Sequence, residues 1–307
     1  MSTSSAVRRG LVQISLAGVL WGTGGLVVQL VRERAPLSVL TISAWRMALA
    51  AVVLLLAVLV LRRTADLVRL LRERPWTAVG VGLCTGAYQA LYFAAVVAAG
   101  VTVATVVALG LAPVLLTLAE AVRARRGPGV GRVLVLLAAL GGLVLVGAAA
   151  GLSVTGPRPV AGVLLAVASG VTYALATALG RPLSAAQSPL AVATVTSCAG
   201  AVALVPPGLL SAGPHASVDP VVVGLLGYLG VMTLALAYGL LYAGLRTVAG
   251  SAAVVATLLE PLTAAVLAAA VLGERLGVLG VVGGVLILAA VAGSAGADRP
   301  RPEPLRP

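Results

Sequence analysis

Three charged side chains fall within the long apolar runs of this chain: Arg46 in AWRMALA, Glu260 in LLEPLTAAV, and Glu120 in LAEAV. Arg46 lies about ten residues into its run, roughly 15 Å down by helical rise. That is too deep for full snorkelling, so it needs a carboxylate, helix-end carbonyls or a water-filled pocket. Glu260 stands beside Pro261 at a similar depth. An isolated carboxylate there would take up a proton or find a cation, because a medium of low polarity disfavours its charged form. Two readings stay open for the pair. They contribute to the polar lining of a central cavity, where Glu260 could carry a coupling proton or meet a substrate ammonium; or they lock helices together, as each other's partner or otherwise. Glu120, at the end of its run beside Arg123, reads as an interfacial ion pair. Trp21, Tyr88, Tyr92, Tyr238 and Tyr242 supply the other polar and aromatic options. A spacing of four puts both rings of each tyrosine pair on one helical face. Tyr88 and Tyr92 lie too far inside for an interface belt alone, whereas Tyr238 and Tyr242 approach the end of their run.

Most other chemistry is excluded. There is no HExxH, no G-x-S-x-G and no Walker A loop, so no catalytic residue, metal ligand set or cofactor is expected, and the chain is read as a non-enzyme. Cys84 and Cys198 sit inside apolar runs, where a small polarizable hydrophobe is the ordinary reading. His215 is alone in a loop.

The elements that must position these residues are membrane spans. Hydrophobic residues make up 60% of the chain and charged ones 10%, with a mean hydropathy of +1.12; a soluble domain carries roughly 25% charged residues. Runs of about 20 apolar residues place ten spans near 11–31, 36–61, 76–98, 101–122, 132–150, 160–180, 188–210, 219–243, 250–272 and 276–296. The chain has no lysine, so arginine alone reports orientation. With the N-terminus inside, the cytoplasmic segments take Arg8 and Arg9, the arginines of 62–74 and 123–132, Arg181, Arg246 and the tail. The other side takes only Arg32, Arg34, Arg158 and Arg275. This satisfies the positive-inside rule with both termini cytoplasmic. The net charge of +12 is therefore topology and not a nucleic-acid footprint. Arg8-Arg9 before an apolar run looks like an export signal, but the run has no small-residue cleavage site and nine spans follow, so it is expected to be retained.

The chain is also written twice. AYQALYF at 87–93 returns as AYGLLYA at 237–243, LAPVLLTLAEAV at 111–122 as LEPLTAAVLAAA at 259–270, and GGLVLV at 141–146 as GGVLIL at 283–288. Each half holds five spans, so the copies sit in opposite orientations. The expected division is a cytoplasmic N-terminus at 1–10, a five-helix half at 11–150, a linker at 151–158, a second half at 159–296, and a disordered cytoplasmic tail at 297–307. Pro113 and Pro261 occupy corresponding spans and predict helix kinks near mid-membrane. GxxxG pairs at Gly18/Gly22, Gly82/Gly86 and Gly280/Gly284 predict close helix packing.

LWGTGG at 20–25, AWRMALA at 44–50, GAYQALYFAAVVAAG at 86–100, LGLAPVL at 109–115, LLEPLTAAVLAAAVLGERL at 258–276 and GGVLIL at 283–288 together resemble the drug/metabolite transporter superfamily, specifically its EamA-type ten-span exporters. The resemblance covers nearly the whole chain. It implies an all-α membrane protein of two inverted five-helix repeats, located in the bacterial inner membrane as a monomer or homodimer. It implies export of amino acids, related metabolites or drugs, and carries Trp21, Tyr88, Tyr92 and Glu260 over as lining of a central cavity. The expected mechanism is alternating access, with a proton gradient or facilitated movement as the options; the expected partners are a small-molecule substrate, membrane lipids and a proton. Translocation of a lipid or lipid precursor is the alternative. Two departures from symmetry stand out. Ala112 lies opposite Glu260, and Arg126 lies where the second half has Glu274.

Overall fold

A computed structural model gives the fold and describes residues 3–149, 157–272 and 277–297. Residues 151–156 of the expected linker, the tail beyond 297, and Glu274 and Arg275 lie outside the described residues. Helices make up the regular structure described: α1 Thr3–Arg34, α2 Val39–Val60, α3 Thr64–Glu73, α4 Pro75–Ala99, α5 Val101–Ala124, α6 Val130–Ala149, α7 Pro159–Ala186 and α8 Pro189–Leu209. They continue with α9 Pro220–Gly230, a π-helical segment Val231–Leu236, α10 Ala237–Gly244, α11 Gly250–Thr257, α12 Leu259–Leu272 and α13 Val278–Ala297. Among the described residues nine stretches are long and apolar enough to cross a membrane, and Val278–Ser294 is a shorter apolar tenth. Nine of the ten expected spans are matched by these stretches and the tenth by the shorter helix. The eighth is a composite of α9, the π segment and α10, and the ninth is broken between α11 and α12.

Local chemistry sets the span ends. Pro75, Pro159, Pro189 and Pro220 begin their helices, where the missing N–H is an orphan in any case. Ser38 caps α2 by accepting from Thr41 N, and Asp219 caps α9 by accepting from Val221 N, each satisfying one exposed donor. The turn between α4 and α5 is Gly100 alone, at φ +97°, a conformation that a Cβ makes costly. Inside the spans, buried hydroxyls donate to the carbonyl one turn back: Thr85 to Val81, Thr177 to Tyr173, Thr194 to Leu190. This solves the hydrogen-bonding problem where water is absent. Leu134, Leu137 and Val144 on α6, Leu164 and Leu175 on α7, and Val281, Val285 and Leu288 on α13 point outward, as a surface solvated by lipid requires.

The packing exchanges the halves. α4 lies along α7, and α10 along α1; α5 packs on α7, and α12 on α1; α2 crosses α8, and α6 crosses α13. Each contact maps onto its partner when the two five-helix repeats are swapped. Glycine permits the close crossings. A Cβ on Gly82 would lie 2.5 Å from Thr196 O, and one on Gly142 would lie 2.6 Å from Gly283 O. Gly170 meets Ala108 as Gly18 meets Ala256 and Thr257. Without a hydrophobic drive in lipid, such backbone proximity carries the association.

α3 had no counterpart in the span reading. It is a short amphipathic helix, not a span: Leu70 is buried while Val68 and Leu71 stay exposed beside Trp76. That is the composition of a helix lying at an interface.

Candidate functional site

The face of the bundle that carries the start of α1 is called the near face, and the other the far face. Two joined chambers lie between the halves toward the far face. The first, of about 300 Å³, runs from mid-bundle to Arg32, Val39, Val96 and Val101, residues next to the far-face turns. Trp21, Arg46, Tyr88, Tyr92 and Glu260 all line it. The second, of about 320 Å³, is mostly apolar, with walls from α5, α6, α12 and the start of α13. Trp21, Gly25, Tyr92, Val101 and Glu260 belong to both.

Four aromatic rings frame the first chamber in two pairs across the repeat interface. Trp21 of α1 meets Tyr238 of α10 edge-on with centroids 5.5 Å apart. Tyr173 of α7 stacks on Tyr88 of α4 at 4.9 Å. These contacts are related by the repeat, since Tyr88 corresponds to Tyr238. Tyr173 was not singled out from sequence, yet a signal exists: GVLW at 18–21 returns as GVTY at 170–173. The Tyr173 hydroxyl lies 2.8 Å from Thr257 Oγ1, at the end of α11, and the Tyr92 hydroxyl lies 2.7 Å from Thr105 Oγ1. Tyr242 stacks on Tyr238 at 6.0 Å but is only 2% exposed; it packs beneath the chamber floor.

The prolines behave differently. Pro113 sits inside the unbroken α5. Pro261 follows a real break: Leu258 leaves the helix and its N–H turns to Val255 O at 3.1 Å. A proline clashes with the carbonyl four residues earlier, here that of Thr257, so the break falls where the ring demands it. Glu260 follows this break and faces both chambers. Gly22 of α1 packs against it so closely that a Cβ would lie 2.5 Å from Glu260 O.

Arg46 and Glu260 are not each other's partner. Ion pairs among the described residues are Arg63–Asp66 and Arg132–Glu120, although Arg46 and Glu260 are near enough to share a field with Tyr88 and Tyr238. Arg46 Nη2 instead donates to Thr233 Oγ1 at 3.2 Å, and its Nε has no partner among the described residues. Gln89, also lining the chamber, has no partner for Nε2 among the described residues while 7% exposed. Thr233 and Gln89 carried no sequence signal, because a threonine or a glutamine in a span resembles any other until its neighbours are known.

Glu120 does form an ion pair near the end of its span, but with a different cation from its sequence neighbour. Its partner is not Arg123, which is exposed, but Ser251 and Arg132. It accepts from Ser251 N at 3.0 Å and from Ser251 Oγ at 2.6 Å, with Arg132 Nη1 at 3.5 Å. Close by, Arg181 Nε donates to Val248 O at 2.9 Å. The bonds of Glu120 tie α5 to the start of α11, and that of Arg181 ties α7 to the turn before it. Leu11, Ile14, Leu183, Tyr242, Leu245 and Val248 are buried behind them, so the near side is closely packed, whereas the chamber lining reaches the far-face turns.

Three comparisons bear on this arrangement. The model of the EamA-like transporter family matches residues 8–148 and again 160–295. An uncharacterized transporter of Bacillus subtilis (strain 168), YwfM, is 32% identical over 265 residues, 86% of each chain. A solved crystal structure, at 20% identity and a TM-score of 0.75, covers 95% of this chain and 98% of its own, which supports the fold. A family match repeated once per five-span half, on a bundle whose halves exchange contacts around one chamber, leaves one assignment: the chain belongs to the EamA-like transporter family.

Proposed function

We propose that this protein is a secondary transporter that exports small metabolites, amino acids or related compounds among them, across the bacterial inner membrane by alternating access. The observation that carries this reading is the chamber at the repeat interface. It presents a guanidinium and a carboxylate that do not pair with each other, and its lining reaches the far-face turns while the near side is closely packed. Substrate sites of inverted-repeat transporters lie where the halves meet. Two opposite charges, not paired with each other, in one chamber of about 300 Å³ suit a small polar cargo. The arginine bias supports the orientation, with both termini and the closely packed near face cytoplasmic. Trp21, Tyr88, Tyr92, Arg46 and Glu260 act as the cargo-facing lining. Glu260 is the candidate for proton coupling, since it holds no cation within ion-pair distance among the described residues.

Proteoliposomes loaded with radiolabelled amino acids, nucleosides or cationic drugs test the reading. Efflux driven by a pH gradient is expected for at least one class, and Glu260→Gln should abolish the gradient response while binding persists. An unchanged gradient response removes Glu260 from coupling; no movement of any class sinks export. Reporter fusions after Ala212 and Arg126 should read external and cytoplasmic respectively, and the reverse pair overturns the orientation. The apolar second chamber favours one rival, lipid translocation, which flipping of fluorescent lipids by the same proteoliposomes would reveal.

A further inference from the structure

We infer that the chamber contains an anion subsite made by Arg46 and Gln89, that Thr233 is its positioning residue, and that it takes the carboxylate of the cargo. This rests on the reading that the chamber carries cargo.

The donors come first. A guanidinium has five N–H groups and no acceptor. Arg46 uses one of them on Thr233 Oγ1 at 3.2 Å, and its Nε finds no acceptor among the described residues. Gln89 Nε2 is in the same state. Leaving a buried donor unsatisfied is expensive, and the two residues that carry these donors, on α2 and α4, line one chamber. A ligand that satisfies both brings acceptors, and a negative charge on it complements the guanidinium. A carboxylate matches the planar guanidinium fork.

The positioning comes next. Thr233 Oγ1 donates to Leu229 O at 2.6 Å, so its hydrogen is committed and only lone pairs face Arg46. It can therefore hold the guanidinium but not compete for the anion. Thr233 is fully buried and sits in the π-helical segment Val231–Leu236, a rare widening that recurs at functional sites. On the other side Gly24 leaves space: a Cβ there would lie 3.8 Å from Arg46 Nη2. Gly230, the residue before the π segment, packs on Arg46 O and on Leu49.

The subsite is one-sided. Gly230 meets Arg46 and Leu49 much as Gly82 meets Thr196 and Ala199, yet α8, the counterpart of α2, carries no charged residue. Thr196 spends its hydroxyl on Val192 and Ala193 carbonyls of its own helix. Ala112 likewise stands opposite Glu260. The anion-binding donors thus come from the first half, Thr233 supports them from the second, and the chamber carboxylate belongs to the second.

Binding to the purified full-length protein tests this with L-threonine and L-phenylalanine, each as the free acid and as the α-carboxamide. The acid should bind about 10- to 100-fold more tightly than the amide, the range expected for hydrogen bonds to a charged group. Gln89→Leu and Arg46→Lys should each lower the acid-to-amide affinity ratio about tenfold. Gln89→Glu should reverse it. Thr233→Val should lower the acid-to-amide ratio and Thr233→Ser should restore it, a rescue that a merely structural role would not produce. Equal affinity for acid and amide, binding of neither, or a ratio untouched by Gln89→Leu, Arg46→Lys, Gln89→Glu and Thr233→Val overturns the subsite. If those binding results overturn the subsite while the wild-type protein still moves a cationic drug or nucleoside in proteoliposomes, export stands without it.

Discussion

Opening of the closely packed near face should be governed by Glu120. Its two oxygens take separate donors from Ser251, with N–H to Oε1 at 3.0 Å and Oγ–H to Oε2 at 2.6 Å. Glu120→Gln keeps the shape but leaves one oxygen, and the new NH₂ faces a donor. One charge-assisted hydrogen bond is lost, within the range of about 1.5–3 kcal/mol for charged groups. The Glu120 side chain is 26% exposed, and solvent screens part of this, so about 1.5 kcal/mol is the working figure. That free energy acts only on the state in which α5 touches the start of α11. The ratio of near-face-open to near-face-closed protein should therefore rise about tenfold. Ala253 is 0% exposed one turn into α11 and becomes reachable only when this face opens. In a background with Cys84 and Cys198 replaced by alanine, the maleimide labelling rate of Ala253→Cys is proportional to the open population. It should rise about tenfold in Glu120→Gln and stay level in Arg123→Gln, the residue adjacent in sequence. A rate unchanged by Glu120→Gln, or raised equally by Arg123→Gln, would refute the latch. Ser251→Ala should raise the rate too, and combining it with Glu120→Gln should add less than the sum of the two effects, since both remove the same bonds.

Three more outcomes are expected. Gly82→Ala should lower thermal stability by about 1–3 kcal/mol through overpacking, because its Cβ would lie 2.5 Å from Thr196 O and 2.6 Å from Ala199 Cβ. Gly80→Ala, which meets nothing within 4 Å, should be neutral or slightly stabilising by detergent-phase thermal denaturation. Tyr173→Phe should cost about 1 kcal/mol by removing the bond to Thr257 Oγ1, and should leave the Tyr88 stack intact as read by the Tyr88→Ala double-mutant cycle. Leu70→Asp in α3 should destabilise the fold, as its side chain is fully buried, whereas Trp76→Ala, 86% exposed, should weaken liposome association of a peptide spanning 62–78 more than it affects folding.

Several features of the site were readable before any coordinates. Arg46 and Glu260 announced themselves because a charge in a span needs a reason, and Trp21, Tyr88 and Tyr92 because aromatics so deep are not belt residues. Their assembly around one chamber follows from two copies packed face to face. Tyr173 was readable too, through the GVLW and GVTY pair, but a threonine and a tyrosine in place of leucine and tryptophan weaken a match judged on identity. Gln89 and Thr233 were not readable. What marks them is a missing partner in one case and a committed hydrogen in the other, and both are properties of neighbours.

Sequence alone determined the number of spans, the inversion of the halves and the depth of each charge. Those depend on run length, on an odd span count and on arginine placement, all of which act along the chain against a bilayer of set thickness. Tertiary structure alone decided who pairs with whom. Arg46 and Glu260 stay apart while Glu120 passes over Arg123 to reach Ser251 from another half, because a side chain's partner is set by helix rotation and crossing. The π segment and the break at Leu258 are of the same kind. Each replaces a regular helical hydrogen bond with a local compromise, and only the neighbours that Thr233 and Glu260 meet on the facing helices show what that compromise positions.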